Sequence, residues 1–446
     1  MTADPKSSRI SVPQVVLPLP GHLDETPVFI SNSPEIVLQA GILVSTFAPG
    51  GKSNPSAHLD YPLSGRFDIF FHHITDIAQA ASSKTLFLGL LIGNSSDDEV
   101  HLRVLNAVSY LTRNDAPFLV LDAVIDNSDA KTYAGPGDRV MLDLLCNAKL
   151  KDWDDCITLR PRETKVVCSL PLPVNALFHQ RNGRTGFISL DSDRPVQVAL
   201  LSAFAEGRGI WSERKPELND WMNLLNTASL VQPRDKQPTP PNAAGELIYG
   251  RTAGVARGSI WRGAITNDET QSRFLAREGQ LVSYPISTVR GGTLGTNQIQ
   301  AAPLAVRYPD TAYMAHGNYS VLYDLVLPIY NPTETELLIG LTFQSPLKSC
   351  NETTELRFLR EPPNSIVFRG NIKFQWKDKN LEERSMLIHL VQKQGQMQDS
   401  LVELELPPKW QIDVNVSLRY PPDCTPPQVL TISAKANQEG SHLRQR

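Results

Sequence analysis

Asp68, His72, His73 and Asp76 are the densest group of chemistry-capable side chains in the chain. Side chains of an extended segment alternate between faces, so Asp68 and His72 share one face and His73 takes the other. A carboxylate and an imidazole on one face suit acid–base catalysis or half of a metal site. A metal site needs further ligands from elsewhere in space. A strand end satisfied by backbone groups is the plainer reading, and neither metal nor cofactor is expected. A second group comprises Asp310, Tyr313, His316, Asn318 and Tyr319, with Trp261 upstream and Tyr308 nearby. Flat aromatic rings beside Asp and Asn could receive a sugar, C–H face to ring and hydroxyls to the polar groups. Tyrosines closing a sheet explain the same residues. Gly-x-Ser-x-Gly, His-Glu-x-x-His, the P-loop and the dinucleotide fingerprint are absent.

The elements that must position these groups read as short strands. Proline occurs 34 times in 446 residues, against 27 glycines, and it interrupts helices and central strands alike. Phe67–Phe71 is an aromatic-rich strand ending at His72-His73, Leu86–Ile92 is a buried run, and Val100, Leu102 and Val104 alternate. A helix is expected at about Lys215–Ser229, with Pro216 early and Leu218, Trp221, Met222 and Leu225 at helical spacing. A weaker helical pattern covers Arg139–Leu150. Pro233, Pro238, Pro240 and Pro241 mark an extended linker.

The two halves match in five blocks taken in order. Ser45-Thr46-Phe47 with Gly50-Gly51 meets Ser287-Thr288-Val289 with Gly291-Gly292, and His73 meets His316. The run ending at Asn94 meets the run ending at Asn331, each followed by an alternating strand (Val100, Leu102, Val104; Leu337, Ile339, Leu341). Pro161 with Val166, Cys168, Leu170 and Leu172 meets Pro407 with Ile412, Val414, Val416 and Leu418. Pro195–Ala203 meets Pro426–Ala434. The expectation is an all-β protein of two tandem, related β-sandwich-like domains with a short helix and proline-rich linker between them. Its boundaries are a flexible arm at 1–27, a first unit at 28–206, helix and linker at 207–243, a second unit at 244–435 and a disordered tail at 436–446.

Charged residues make up 20% of the chain and the net charge is −4, which opposes nucleic-acid binding because no basic stripe answers phosphate. Five cysteines with no CxxC pair exclude a zinc knuckle; Cys146 and Cys156 are either free thiols or, in an oxidising compartment, a disulfide. No apolar run reaches the roughly 18 residues of a transmembrane helix, and residues 1–14 show no secretory apolar region.

Several stretches resemble an uncharacterised cyanobacterial family classed as a domain of unknown function. They are Pro18–Gly21, Pro27–Phe29, Ser31–Glu35, Gly65–Phe70 with His72-His73, Tyr308–Tyr313, Ala315–Tyr319, Leu327–Pro332 and Tyr420–Leu430. The resemblance spans about Val16 to Ser433. It implies an extracytoplasmic protein and carries over no activity or site. The function expected is a non-enzymatic binding or structural protein of the cell envelope or exterior, with a glycan or envelope protein as partner. The alternative is a polysaccharide hydrolase with its site near Asp68/His72 or Asp310/His316.

Overall fold

A computed structural model describes residues 9–148, 153–174, 180–207, 212–268, 270–348 and 351–437. It is all-β: strands account for 48% of it and helix for 6%. The two α-helices are Pro136–Leu145 and Leu218–Thr227.

The first sandwich is organised by one long strand, Arg181–Phe204. Its N-terminal part lies between Leu63–Asp76 and Val100–Leu111, and its C-terminal part pairs with Leu86–Gly93 and Gly41–Ser45. The strand passes from one layer to the other around Pro195, where the ladder with Leu63–Asp76 slips between Ser192 and Val196 and proline offers no N–H. Phe67, Ile69 and Phe71 point inward against Leu88, Leu90 and Ile92. Burying each such side chain contributes roughly 1.5–3 kcal/mol. By the pleat, Asp68, Phe70 and His72 face outward, where Phe70 packs with Val140 and Met141 of the first helix.

In the second sandwich Leu322–Tyr330 and Gln411–Arg419 lie in an eight-stranded sheet, facing a five-stranded sheet that contains Leu281–Ile286, Gln428–Ala436 and Leu337–Gln344. Tyr323, Leu325, Leu327 and Ile329 meet Tyr284, Ile286, Ile339 and Leu341 between the sheets.

One block of the internal comparison has matching geometry in both halves. The Asn94 amide donates to the carbonyls of Asp98, Leu159 and Arg160 while its oxygen accepts from the backbone and hydroxyl of Ser96. Asn331 does the same with Thr335, Leu406, Pro407 and Thr333. Thr164 pairs with Gly93 as Gln411 pairs with Tyr330, and Leu159 with Val100 as Leu406 with Leu337. The last block differs. Gln197–Phe204 pairs with Leu86–Gly93, whereas Val429–Ala436 pairs with Leu337–Gln344, the strand after Asn331. His73 lies in a strand and His316 in a loop, so those two are not at matching places either.

The halves also exchange elements across the expected boundaries. Residues 9–23 are not a free arm: Arg9–Pro13 pairs with Glu355–Leu359, Val15–Val16 with Leu281–Ile286, and His22–Leu23 with Ile260–Ala264. Pro27–Ser31 bridges Leu63–Asp76 to Ala253–Arg257, so strands from the second half extend the first half's sheet. Tyr308 is buried in the first core, its hydroxyl donating to the Ala57 carbonyl at 2.8 Å. Conversely, Val124–Asp126 joins the second sandwich.

Of the segment expected to connect the units, the helix belongs to the first. Leu218–Thr227 begins at a capping box of Glu217 and Asp220 and buries Trp221 and Leu225 against Ile42, Leu91 and Leu201. A Cβ at Gly89 would fall 2.6 Å from the Trp221 ring, so only glycine lets the indole lie on the strand. The weaker helix starts earlier than its pattern, at Pro136, with proline in the first turn; the pattern's last two positions, 149–150, lie outside the described residues, as do residues 438–446 of the expected tail. Ala436 itself ends a strand. The four described cysteines, Cys146 and Cys156 included, are free. Among the described residues no helix is long and apolar enough to cross a membrane.

Candidate functional site

Most of the residues selected by type hold the fold. Asp68 accepts a short hydrogen bond from the Ser259 hydroxyl and lies 3.6 Å from Arg66. His73 is fully buried, with Nε2 2.8 Å from Ser31 Oγ and Nδ1 2.9 Å from the Pro34 carbonyl. Only Nδ1 can donate to a carbonyl, so Nε2 accepts from Ser31. Burial pushes this imidazole down to about 3. Asp76 pairs with Arg181 at 2.6 Å. Trp261 is no sugar platform: it is 5% exposed, donates to the Pro20 carbonyl and stacks near Tyr323. Asn318 is buried, bonding the Ala302 amide, the Gln300 carbonyl and the Tyr323 hydroxyl. Tyr313 lies under the Arg307 guanidinium, and Asp310 pairs with Arg234 at 3.2 Å.

His316 is different, because it lines a cavity of 260 Å³ between the two sandwiches. Ile30, Asn32 and Phe70 form the wall from the first sheet, and Tyr249, Arg251, Val289, Tyr319, Lys348 and Cys424 are among the residues enclosing it from the second half. The His316 ring sits 4.7 Å from that of Tyr249, and its buried Nδ1 has no hydrogen-bond partner. Burial lowers its pKa to about 4, so the ring is neutral near pH 7. Burial also pulls the Lys348 ammonium below the usual lysine range, and among the described residues no carboxylate lies in ion-pair range of it. Arg251, by contrast, is engaged by Glu35 and Asp235.

Beside this cavity His72 keeps different company from that expected. It is 4% exposed, and Nδ1 is 2.8 Å from Thr185 Oγ1 on the neighbouring strand. Nε2 makes no hydrogen bond. It points between Glu35 Oε1 at 3.9 Å and Asp423 Oδ1 at 3.7 Å, and the three ligand atoms lie within 4.8 Å of one another. Asp68, though on the same face of the strand, is not part of this group.

Residue type alone does not single out Glu35, Asp423, Tyr249, Arg251 or Lys348. Glu35 and Asp423 each follow a proline-bearing turn, in Ser33-Pro34-Glu35 and Pro421-Pro422-Asp423. Both turns fall within the stretches that carry the family resemblance, and that is the available signal. Lys348 gives none, because nothing local marks a lysine that folding will half-bury.

A family described as "Protein of unknown function (DUF3370)" matches residues 14–434. No curated protein matches. Solved structures similar to the chain include Lac15 from a marine microbial metagenome, at 9% identity over 90% of this chain and 61% of that one, TM-score 0.12. The chain thus spans less than two thirds of that protein's length. Procruciferin, an 11S globulin from Brassica napus, shows 10% identity over 96% of this chain and 87% of its own, TM-score 0.12. A mutant of the Bacillus subtilis oxalate decarboxylase OxdC shows 8% identity over 88% and 78%, TM-score 0.10. At these scores none of the three bears on function.

Proposed function

We propose that this chain, which belongs to the DUF3370 family, is a non-enzymatic binding protein whose inter-sandwich cavity takes a small acidic ligand about the size of one sugar ring. Lys348 is the observation that carries the reading. An ammonium drawn out of water without a carboxylate partner is costly, and an anion delivered by a ligand offsets that cost. His316 supplies a neutral ring nitrogen for a hydroxyl, while Phe70, Ile30 and the Tyr249 ring offer apolar surface to sugar C–H groups. A volume of 260 Å³ is close to the lower end of ligand pockets, ~300 Å³, which suits one ring rather than a chain. An acidic sugar also fits the glycan expected as partner. The envelope or exterior location belongs to the same proposal and rests on the family resemblance. So does descent of the two sandwiches from one duplicated unit, supported by the matched Asn94 and Asn331 hydrogen bonds.

Calorimetric titration of the full chain with glucuronate and with glucose tests the ligand. The expected result is binding of glucuronate, at least tenfold weaker binding of glucose, and loss of that preference in Lys348→Met. Equal affinities for the two sugars, or an unchanged preference in Lys348→Met, would overturn the reading.

A further inference from the structure

We propose that Glu35, His72 and Asp423 form a binding site for a first-row divalent transition cation, independent of the ligand reading above. The argument starts from the nitrogen. His72 is more than nine-tenths buried, and its Nε2 has no hydrogen-bond partner although two carboxylates flank it. Carboxylates accepting a hydrogen bond from that nitrogen would stand at about 2.7–2.9 Å. They stand instead at 3.7 and 3.9 Å. Ligand atoms about 2.0–2.2 Å from a tetrahedral ion lie roughly 3.4 Å apart, so a small inward movement of the two carboxylates closes a coordination sphere around a central cation.

The surroundings fit that role. Thr185 holds Nδ1, which fixes the ring and leaves Nε2 as the ligand atom, the arrangement of a metal-bound histidine with its supporting partner. Arg251 occupies the other oxygen of Glu35, orienting the carboxylate with Oε1 toward His72. One nitrogen and two carboxylate oxygens favour zinc, manganese or iron(II) over calcium and magnesium, which take oxygen-only sets. Asp423 is one-third exposed, giving the ion a route in and a position for water. The ligands come from the loop after Pro27–Ser31, the strand Leu63–Asp76 and the loop after Gln411–Arg419, so one ion would tie the two sandwiches together.

The test is zinc competition against a chromophoric chelator, using EDTA-treated full-length protein. One zinc per chain is expected, with binding at least tenfold weaker in His72→Gln and in Asp423→Asn. His72→Gln alters a buried residue and has to be checked by circular dichroism; Asp423→Asn changes a partly exposed loop and gives the answer if the other variant misfolds. His101→Ala removes an exposed histidine 3.3 Å from Glu99, the obvious adventitious site, and is expected to change nothing. Lys348→Met is likewise expected to retain zinc, which separates this site from the acidic-ligand proposal. Absence of zinc binding, equal binding of magnesium, or unchanged affinity in Asp423→Asn would overturn the assignment.

Discussion

Protonating His73 would break the bond that Nε2 accepts from Ser31 and place a charge in a buried site near the Arg234 and Arg251 guanidinium groups. Burial lowers this group to about 3 in the folded chain and lowers His58 and His316 to about 4, against about 6.5 unfolded. A depressed folded pKa gives stability that is complete above the unfolded value and is lost as pH falls through the folded one. Between about pH 6 and 4.5 the unfolded chain therefore holds more protons. Each histidine then removes about 1.4 kcal/mol per pH unit, so the three together remove about 4. Urea unfolding at pH 6, 5.5 and 5 should show that slope, reduced by about a third in His73→Gln, with a shallower fall between pH 7 and 6. An unfolding midpoint unchanged from pH 7 to 5 would contradict it. At this scale residue types are a poor guide. His73, Trp261 and Asn318 have the same side chains a site would use, and only their neighbours show that each is already engaged.

Strand positions are far more legible. Period-2 alternation at Val100, Leu102 and Val104 puts side chains on the faces they occupy, since a pleated strand with one buried face can hold only that pattern. The two loops closed by Asn94 and Asn331 give the element-scale prediction. Each side chain serves three carbonyls and two donors that water would reach poorly once it is gone. Replacing either by alanine should destabilise the chain by about 2–4 kcal/mol, and the two costs should agree within about 1 kcal/mol. Denaturant unfolding of the two variants measures this. A large cost in one half and none in the other would show that the shared geometry does not carry shared energetics.

The whole molecule behaves as one interleaved body rather than two beads. Val15–Val16 and His22–Leu23 complete sheets of the second sandwich, and Leu19 lies in its core. The chain then passes to the first sandwich through Pro27–Ser31, whose other neighbour is Ala253–Arg257. Asp138 of the first helix bonds His389 and Asn371 of the second sandwich, with Asn127 joining the same buried network. A fragment of residues 28–206 should therefore fail to unfold cooperatively, because it lacks the partner of Pro27–Ser31 and exposes Leu142 and Leu145, which pack on Leu387 in the full chain. Deleting residues 1–23 from the full chain should lower the melting temperature by several degrees or more. A fragment 28–206 with a sharp thermal transition would show that the first sandwich is autonomous after all.

Sequence by itself determined the all-β class, the alternating faces of the main strands, the Trp221 helix and the loops at Asn94 and Asn331. Each rests on spacing within a few residues, and local geometry fixes spacing. Tertiary structure decided the rest. It made residues 9–23 part of the second sandwich, moved Ala253–Arg257 into the first sheet and set His72 between Glu35 and Asp423 instead of beside Asp68. Those outcomes depend on which distant edges pair and which buried groups remain without partners. Both are settled by long-range burial, and no short window of residues records it.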